Sequence, residues 1–334
     1  MYAWQASSLD EPEKALSLVE VPTPEPGPGQ VLVRVRATAL NFPDVMLCRG
    51  QYQIRLDPPF VPGVEFCGEV TGFGEGADPA LLGTRVVGNP VLPHGALAEY
   101  TLMTAAEAYA APESLDDAEA SALHIAYQTA WFALHRRARL APGETVLVHA
   151  AAGGVGSAAV QLAKAAGARV VGVVGGPGKA ETARALGADL VVDRTSEDFV
   201  PAVKAFTGGR DADVVFDPVG GDAYTGSARC VAFEGRIVVV GFAGGTIPAP
   251  GLNHALIKNY SILGLHWGLY KLHDPAAVHA CHAALLDLAA TGAVKPLVSE
   301  RIPVESAVEG LTALGAGSTT GRVVVLPRTA GGAG

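Results

Sequence analysis

The sequence predicts an α/β protein, with a doubly wound parallel sheet in one part and a β-rich region in the other. Three observations carry this. Hydrophobic residues make up 49% of the 334-residue chain and charged residues only 17%, which is the balance of a large buried core rather than of disorder. Strand-like and helix-like patterns alternate beyond about residue 123, as βαβ units require. A glycine turn, Gly153-Gly154-Val155-Gly156, stands between an apolar strand and a helix.

The first 120 residues read as short strands between Gly and Pro punctuation. Residues 30–37 alternate, with Val31, Val33 and Val35 on one side and Arg34 and Arg36 on the other, the period of a half-buried strand. Residues 64–73 and 85–88 are further strands, and the EPGPG run at 25–29 is a turn. From residue 145 the order becomes strand 145–149, helix 157–166, strand 169–174, helix 179–186 and strand 189–192, with Gly167 and Gly187 placed as helix C-caps. Residues 214–216, 236–240 and 262–265 continue the strands. Residues 276–290 are helical in pattern, 320–326 form a strand, and 329–334 are expected to fray.

The formal net charge is −9, which argues against nucleic acid or an anionic membrane as the main partner. The amino terminus has no basic start followed by an apolar run, so it does not read as a secretion signal. Residues 145–163 and 237–257 lack Asp, Glu, Lys and Arg, but their glycines and prolines suit a buried strand entering a turn better than a membrane helix. Cys48, Cys67, Cys230 and Cys281 are scattered with no C-x-x-C pair, so reduced thiols in a cytoplasmic protein are the expectation.

The glycine turn has the spacing A-x-x-G-x-x-G, with Ala150 at the first position of a strict G-x-G-x-x-G fingerprint. Its physics is that of a dinucleotide site: close backbone approach to a pyrophosphate, and a helix N-terminus offering N–H groups to it. The end of the next strand selects the cofactor. NAD sites place an acid about 20 residues beyond the turn to bond the ribose 2′-hydroxyl. Here Val174-Gly175-Gly176-Pro177-Gly178-Lys179 carries no carboxylate before Glu181, and Arg194 follows the third strand. Two cations and no acid favour the 2′-phosphate of NADPH.

At this point the chain resembles the medium-chain dehydrogenase/reductase superfamily, in its zinc-free quinone oxidoreductase (zeta-crystallin-like) branch. The resemblance rests on Asn41-Phe42-Pro43-Asp44, Arg49-Gly50-Gln51-Tyr52, Pro62-Gly63-Val64-Glu65-Phe66-Cys67-Gly68 and Thr129-Ala130-Trp131. It continues through Phe216-Asp217-Pro218-Val219-Gly220-Gly221, the Val240–Gly245 run with Ile247-Pro248, and Thr320-Gly321-Arg322. It implies a Rossmann domain at 125–266 inserted into a β-rich GroES-like catalytic domain built from 1–124 and 267–334. It also implies a cleft between the domains for NADPH and substrate, and a homodimer or tetramer.

By matching motifs, the resemblance places Asn41 and Thr129 near the nicotinamide. Gly153, Gly154 and Val155 hold the pyrophosphate, Gly175, Lys179 and Arg194 the adenosine phosphate, and Phe242, His266 and Trp267 cover the nicotinamide. Val219, Gly241 and Arg322 complete the cofactor set. Asn41 and Tyr52 are the catalytic-side candidates. Tyr52 would hydrogen-bond a carbonyl or stack on a ring, with a merely packed tyrosine as the alternative. Two departures stand out: the family's Asp-Tyr after the third strand is Asp193-Arg194 here, and its Thr-Ala-Tyr is Thr129-Ala130-Trp131.

Zinc members of the superfamily carry a Cys where Asn41 stands and Gly-His-Glu where Gly63-Val64-Glu65 stands. A catalytic zinc needs three protein ligands, and Val64 supplies none. His279, Cys281 and His282, with His273 upstream, read as surface or interface side chains rather than a metal site. Without a Lewis acid, the scaffold suits acceptors that are already electron-poor. The leading reading is hydride transfer from NADPH to quinones or similar carbonyls. The alternatives are an enoyl or enone reductase (2-alkenal or enoyl thioester) and a non-catalytic NADPH-binding protein.

Overall fold

The computed structural model describes residues 1–328. These form two compact units: residues 1–125 with 295–328, and residues 126–294. The expected fraying of 329–334 lies outside the described residues.

In the first unit, strand Gln30–Ala39 is central. Val31, Val33 and Val35 are buried while Arg34 and Arg36 point outward, where both meet Glu69. Each valine so buried contributes about 1.5–3 kcal/mol. The sheet runs Val298–Pro303, Arg322–Leu326, Gln30–Ala39, Phe66–Phe73, Arg85–Gly88, Tyr109–Ala110, and Tyr100–Thr104 also pairs with the central strand. Arg322–Leu326 joins antiparallel to Gln30–Ala39 through Val324 opposite Ala39, so the two ends of the chain share one sheet. A hairpin of Tyr2–Ala6 and Leu16–Glu20 stands apart from it.

The second unit holds six parallel strands in the order Leu190–Asp193, Arg169–Val174, Thr145–His149, Ala212–Asp217, Val231–Val239, Ser261–Gly264. In chain order this is 3-2-1-4-5-6, the Rossmann arrangement. The three central strands, Arg169–Val174, Thr145–His149 and Ala212–Asp217, are buried almost throughout, which is why they appear in the sequence as apolar runs rather than as alternation. Leu147, Val171, Val215 and Ile237 stack in one core cluster.

Several boundaries differ from the sequence reading. The helix after the glycine turn begins at Gly154 rather than 157, because Gly153 is its N-cap and two of the turn's glycines, Gly154 and Gly156, lie inside the first turn. Helix Pro177–Ala185 likewise starts two residues early, at a proline whose fixed φ suits a first turn. The junction expected at 266/267 falls at 294/295. Residues 267–294 stay with the second unit because Trp267 Nε1 donates to Gln128, Tyr270 stacks on Phe132, and Arg136 pairs with Asp274. Helix Pro275–Ala290 buries Cys281 and His282, so of the expected surface or interface places the surface does not hold for these two. No described helix is long and apolar enough to cross a membrane.

Candidate active site

In the second unit, the predicted cofactor residues lie at the C-terminal ends of the parallel strands. Gly153, Gly154 and Val155 follow Thr145–His149, Gly175 follows Arg169–Val174, and Arg194 follows Leu190–Asp193. Val219 follows Ala212–Asp217, Gly241 and Phe242 follow Val231–Val239, and His266 and Trp267 follow Ser261–Gly264. The first strand lies between the second and the fourth, which is the switch point where open α/β sheets bind ligands.

The glycine turn is tightly built. Ala150 takes φ +50, doing with a methyl group what the first glycine of the strict fingerprint does without one. A Cβ on Gly156 would lie 2.0 Å from the Ala150 carbonyl oxygen, so no other residue fits there. The first backbone bond of helix Gly154–Ala165 at this end is Ser157 N–H to Gly153 O. The N–H groups of residues 154–156 therefore have no partner within the helix and face out of its end, the donor set a pyrophosphate takes.

Beside it, the Arg194 guanidinium rests on Gly175, where an added Cβ would come within 3.2 Å of Nη2. The adjacent carboxylate, Asp193, accepts from Gly176 N–H at 2.8 Å and from the Thr195 hydroxyl at 2.7 Å. These bonds, the Gly176 N–H foremost, hold its pKa below the ordinary carboxylate value. Asp193 Oδ1 thus joins the loop after the second strand to the loop after the third. Lys179 lies in the first turn of helix Pro177–Ala185, and an added Cβ at Gly176 or Gly178 would meet nothing within 4 Å.

The fourth and fifth strand ends are folded together. Asp217 Oδ1 accepts from Val219 N–H and Gly220 N–H, both at 2.9 Å. Gly244 N–H returns to the Val219 carbonyl, and Phe242, 38% exposed, lies against Gly220. Trp267 is tied to Gln128, next to Thr129 on helix His124–Trp131, so Thr129 and Trp267 share a neighbourhood. His266 is exposed. Sequence reasoning missed His149, a buried imidazole bonded to Ser227 at 2.7 Å and lowered to about 4 by burial.

In the first unit, a buried polar cluster gathers around Asn41. Asn41, 5% exposed, is the N-cap of helix Phe42–Cys48. Its Nδ2 donates to the Ala39 carbonyl at 3.0 Å and to Glu65 Oε2 at 2.9 Å. Glu65, wholly buried, also accepts from Arg322 Nη2 and, at 2.6 Å, from Ile125 N–H. Arg322, expected in the cofactor set, has its guanidinium held by Glu65, with 5% exposure, in this unit. Tyr52 is half-buried against the hydrophobic cluster containing Val45, Phe60 and Val64. Burial, and then the Asp44 charge, raise its phenol pKa, so it stays protonated and able to donate.

The sequence analysis did not assign Asp44 or Glu65. The signal for Asp44 was local: an acid three residues beyond an N-cap Asn is a capping pattern. Glu65 had a weaker one, a lone acid in an otherwise apolar stretch.

Around Asn41 the residues present do not fit a catalytic zinc, since Val64 is aliphatic and the Asn41 amide is committed to Glu65. Among the described residues, no group of three or more His, Cys, Asp or Glu side chains is placed to hold a metal ion. All four cysteines are buried free thiols, and burial pushes Cys48, Cys67 and Cys230 up to about 12.

Comparison with known proteins agrees with this architecture. The family model for the alcohol dehydrogenase GroES-like domain matches residues 27–113, and that for zinc-binding dehydrogenase matches residues 154–283. Quinone oxidoreductase-like protein 2 of Bos taurus is 36% identical over 96% of this chain and 92% of its own length. A probable oxidoreductase from Mycobacterium abscessus is 38% identical with a TM-score of 0.88, covering 98% of this chain and 99% of that one. The Escherichia coli quinone oxidoreductase, solved in complex with NADPH, is 28% identical with a TM-score of 0.90, covering 98% of this chain and 100% of that one.

Proposed function

Since the chain belongs to the zinc-independent quinone-oxidoreductase branch of the medium-chain dehydrogenase/reductase superfamily, we propose that it reduces quinones and similar electron-poor carbonyl compounds with NADPH. The observation that carries this is the set of strand ends in the second unit. Bare N–H groups of a helix end lie at the switch point, and a guanidinium rests on Gly175 where NAD sites place an acid.

Bound NADPH supplies a hydride from its nicotinamide ring. The work of the chain is to bind, orient and exclude water. Gly153, Gly154 and Val155 hold the pyrophosphate through backbone N–H groups. Arg194 and Lys179 meet the 2′-phosphate, and Arg194 has room to do so because Gly175 has no side chain. Val219, Gly241 and Phe242, with Thr129 and Trp267, confine the nicotinamide end. Asn41 and Tyr52 act at the reacting end, and the protonated Tyr52 hydroxyl donates to a carbonyl oxygen of the acceptor. With no metal to polarise that oxygen, the acceptor itself must be electron-poor, as a quinone is.

The protein acts as a homodimer in this reading. Ser261–Gly264 ends the sheet with its outer edge unpaired among the described strands, and Leu252, Leu256 and Ile257 project into solvent from the preceding helix Leu252–Lys258. An exposed strand edge beside exposed apolar side chains is surface that a second copy covers.

The test is an acceptor panel with NADPH followed by product identification. The expected result is NADPH oxidation with small quinones and recovery of the hydroquinone. A saturated product from an enal or enoyl thioester, with no quinone turnover, selects the enone-reductase alternative. NADPH binding with no turnover on any acceptor selects a non-catalytic protein.

A further inference from the structure

We propose that Asp44 is a positioning residue: its carboxylate ties the Asn41 end of helix Phe42–Cys48 to the turn at Gly63 and Val64, and so holds Asn41 against Glu65. The inference rests on the reading of Asn41 given above.

The geometry is a three-way junction around one buried side chain. Asp44 is 0% exposed. Its Oδ2 accepts from Asn41 N–H at 2.8 Å, and its Oδ1 accepts from Gly63 N–H at 2.8 Å and Val64 N–H at 2.9 Å. The turn has little freedom of its own. Gly63 takes φ +100, and a Cβ there would lie 2.4 Å from Leu97 N. The two segments that Asp44 joins carry Asn41 and Glu65, which meet at 2.9 Å. No water is needed to satisfy these N–H groups while the carboxylate is charged, because its two oxygens accept all three.

A protonated carboxyl cannot do the same. One oxygen then bears a hydrogen and faces an N–H donor, so at least one of the three bonds is lost. The titratable groups whose charges reach Asp44 are Arg322, which favours the carboxylate, and Tyr52 and Cys48, whose own ionisation it opposes. Burial outweighs the three N–H bonds and Arg322, and pushes Asp44 up to about 6. The carboxylate is therefore intact at neutral pH, and the junction loosens as the pH falls through that value.

The experiment is the pH profile of kcat/KM for a small quinone in wild type and Asp44→Asn, with the NADPH Kd measured by cofactor fluorescence at each pH. In wild type, kcat/KM falls on acidification with a midpoint near 6 while the NADPH Kd changes less than about twofold. In Asp44→Asn, which mimics the protonated form, kcat/KM at neutral pH is lower by about tenfold and the acid limb is gone. A merely structural role lowers activity but leaves the limb in place. Retention of the limb at the same midpoint, or wild-type activity in Asp44→Asn, overturns the proposal. If Asp44→Asn does not fold, wild type decides alone: a flat profile from about pH 5 to about pH 8 overturns it.

Asn41→Ala separates the two levels of the argument. A fully active Asn41→Ala removes the reading of Asn41 and this inference with it. An impaired Asn41→Ala beside a fully active Asp44→Asn overturns this inference alone.

Discussion

The guanidinium of Arg194 lies flat on Gly175, so closely that a methyl group on the glycine would sit 3.2 Å from Nη2. The pair joins the ends of the second and third strands, and Asp193 beside it accepts on Oδ1 from Gly176 N–H of the second strand's loop and Thr195 N–H of its own. The cation at this place is the arginine's, resting on the second strand's end.

Cofactor choice should follow from that charge. Arg194→Glu is expected to weaken NADPH binding by about tenfold to a hundredfold, the worth of one charge-assisted hydrogen bond, and to leave NADH binding nearly unchanged. Fluorescence titration with both cofactors measures it. Equal weakening of both would show that Arg194 shapes the loop rather than reading the phosphate.

Glu65 and Arg322 form a buried ion pair, and removing one partner strands the other. Glu65→Leu is expected to cost about 3–5 kcal/mol of stability in urea unfolding. Adding Arg322→Met should return part of that loss, although the Asn41 amide and Ile125 N–H still lack their acceptor. A double variant less stable than Glu65→Leu alone would contradict this account of the pair.

His149 and Asp44 make opposite contributions to stability in acid. Burial lowers His149 to about 4 from an ordinary value of 6.5, so on acidification the unfolded chain takes the proton first. The stability this group provides is present above 6.5 and is lost as the pH falls through the window down to about 4. Asp44, raised to about 6 from 3.8, takes its proton first in the folded state, which stabilises over nearly the same window. His149→Gln, which keeps a side chain able to reach Ser227, should therefore lose less melting temperature than wild type between neutral pH and about pH 5. Parallel melting curves for the two proteins would refute it.

Leu256 is 77% exposed on helix Leu252–Lys258, beside the free sheet edge. Leu256→Asp is expected to shift the protein from dimer to monomer in light scattering while NADPH binding persists. A wild-type protein that is already monomeric would contradict the dimer reading.

Much of the fold was legible because parallel strands buried on both faces leave continuous apolar runs, and Gly167 and Gly187 mark the helix ends between them. That both chain ends build one domain came only from the family resemblance, and the strand pairing that joins them was not legible. Val324 meets Ala39 across nearly the whole sequence, and nothing local to either residue announces it. The allegiance of residues 267–294 was hidden for the same reason, since it depends on Trp267 reaching Gln128 and Arg136 reaching Asp274. At the site, the glycine turn and Arg194 could be read from residue type and order. Asp44 and Glu65 could not be given roles, because their importance lies in being buried and in whom they meet. The partner of Arg322 was hidden on the same grounds: a family motif placed it in the cofactor set, and nothing local to it announces a carboxylate 257 residues away.

The most direct test of the central claim is steady-state oxidation of NADPH by a small quinone, using protein freed of metals with a chelator and compared with NADH. The account predicts turnover that survives the chelator, with kcat/KM for NADPH above that for NADH by about tenfold or more. No quinone-dependent NADPH oxidation, turnover that needs added zinc, or equal use of NADH would contradict it.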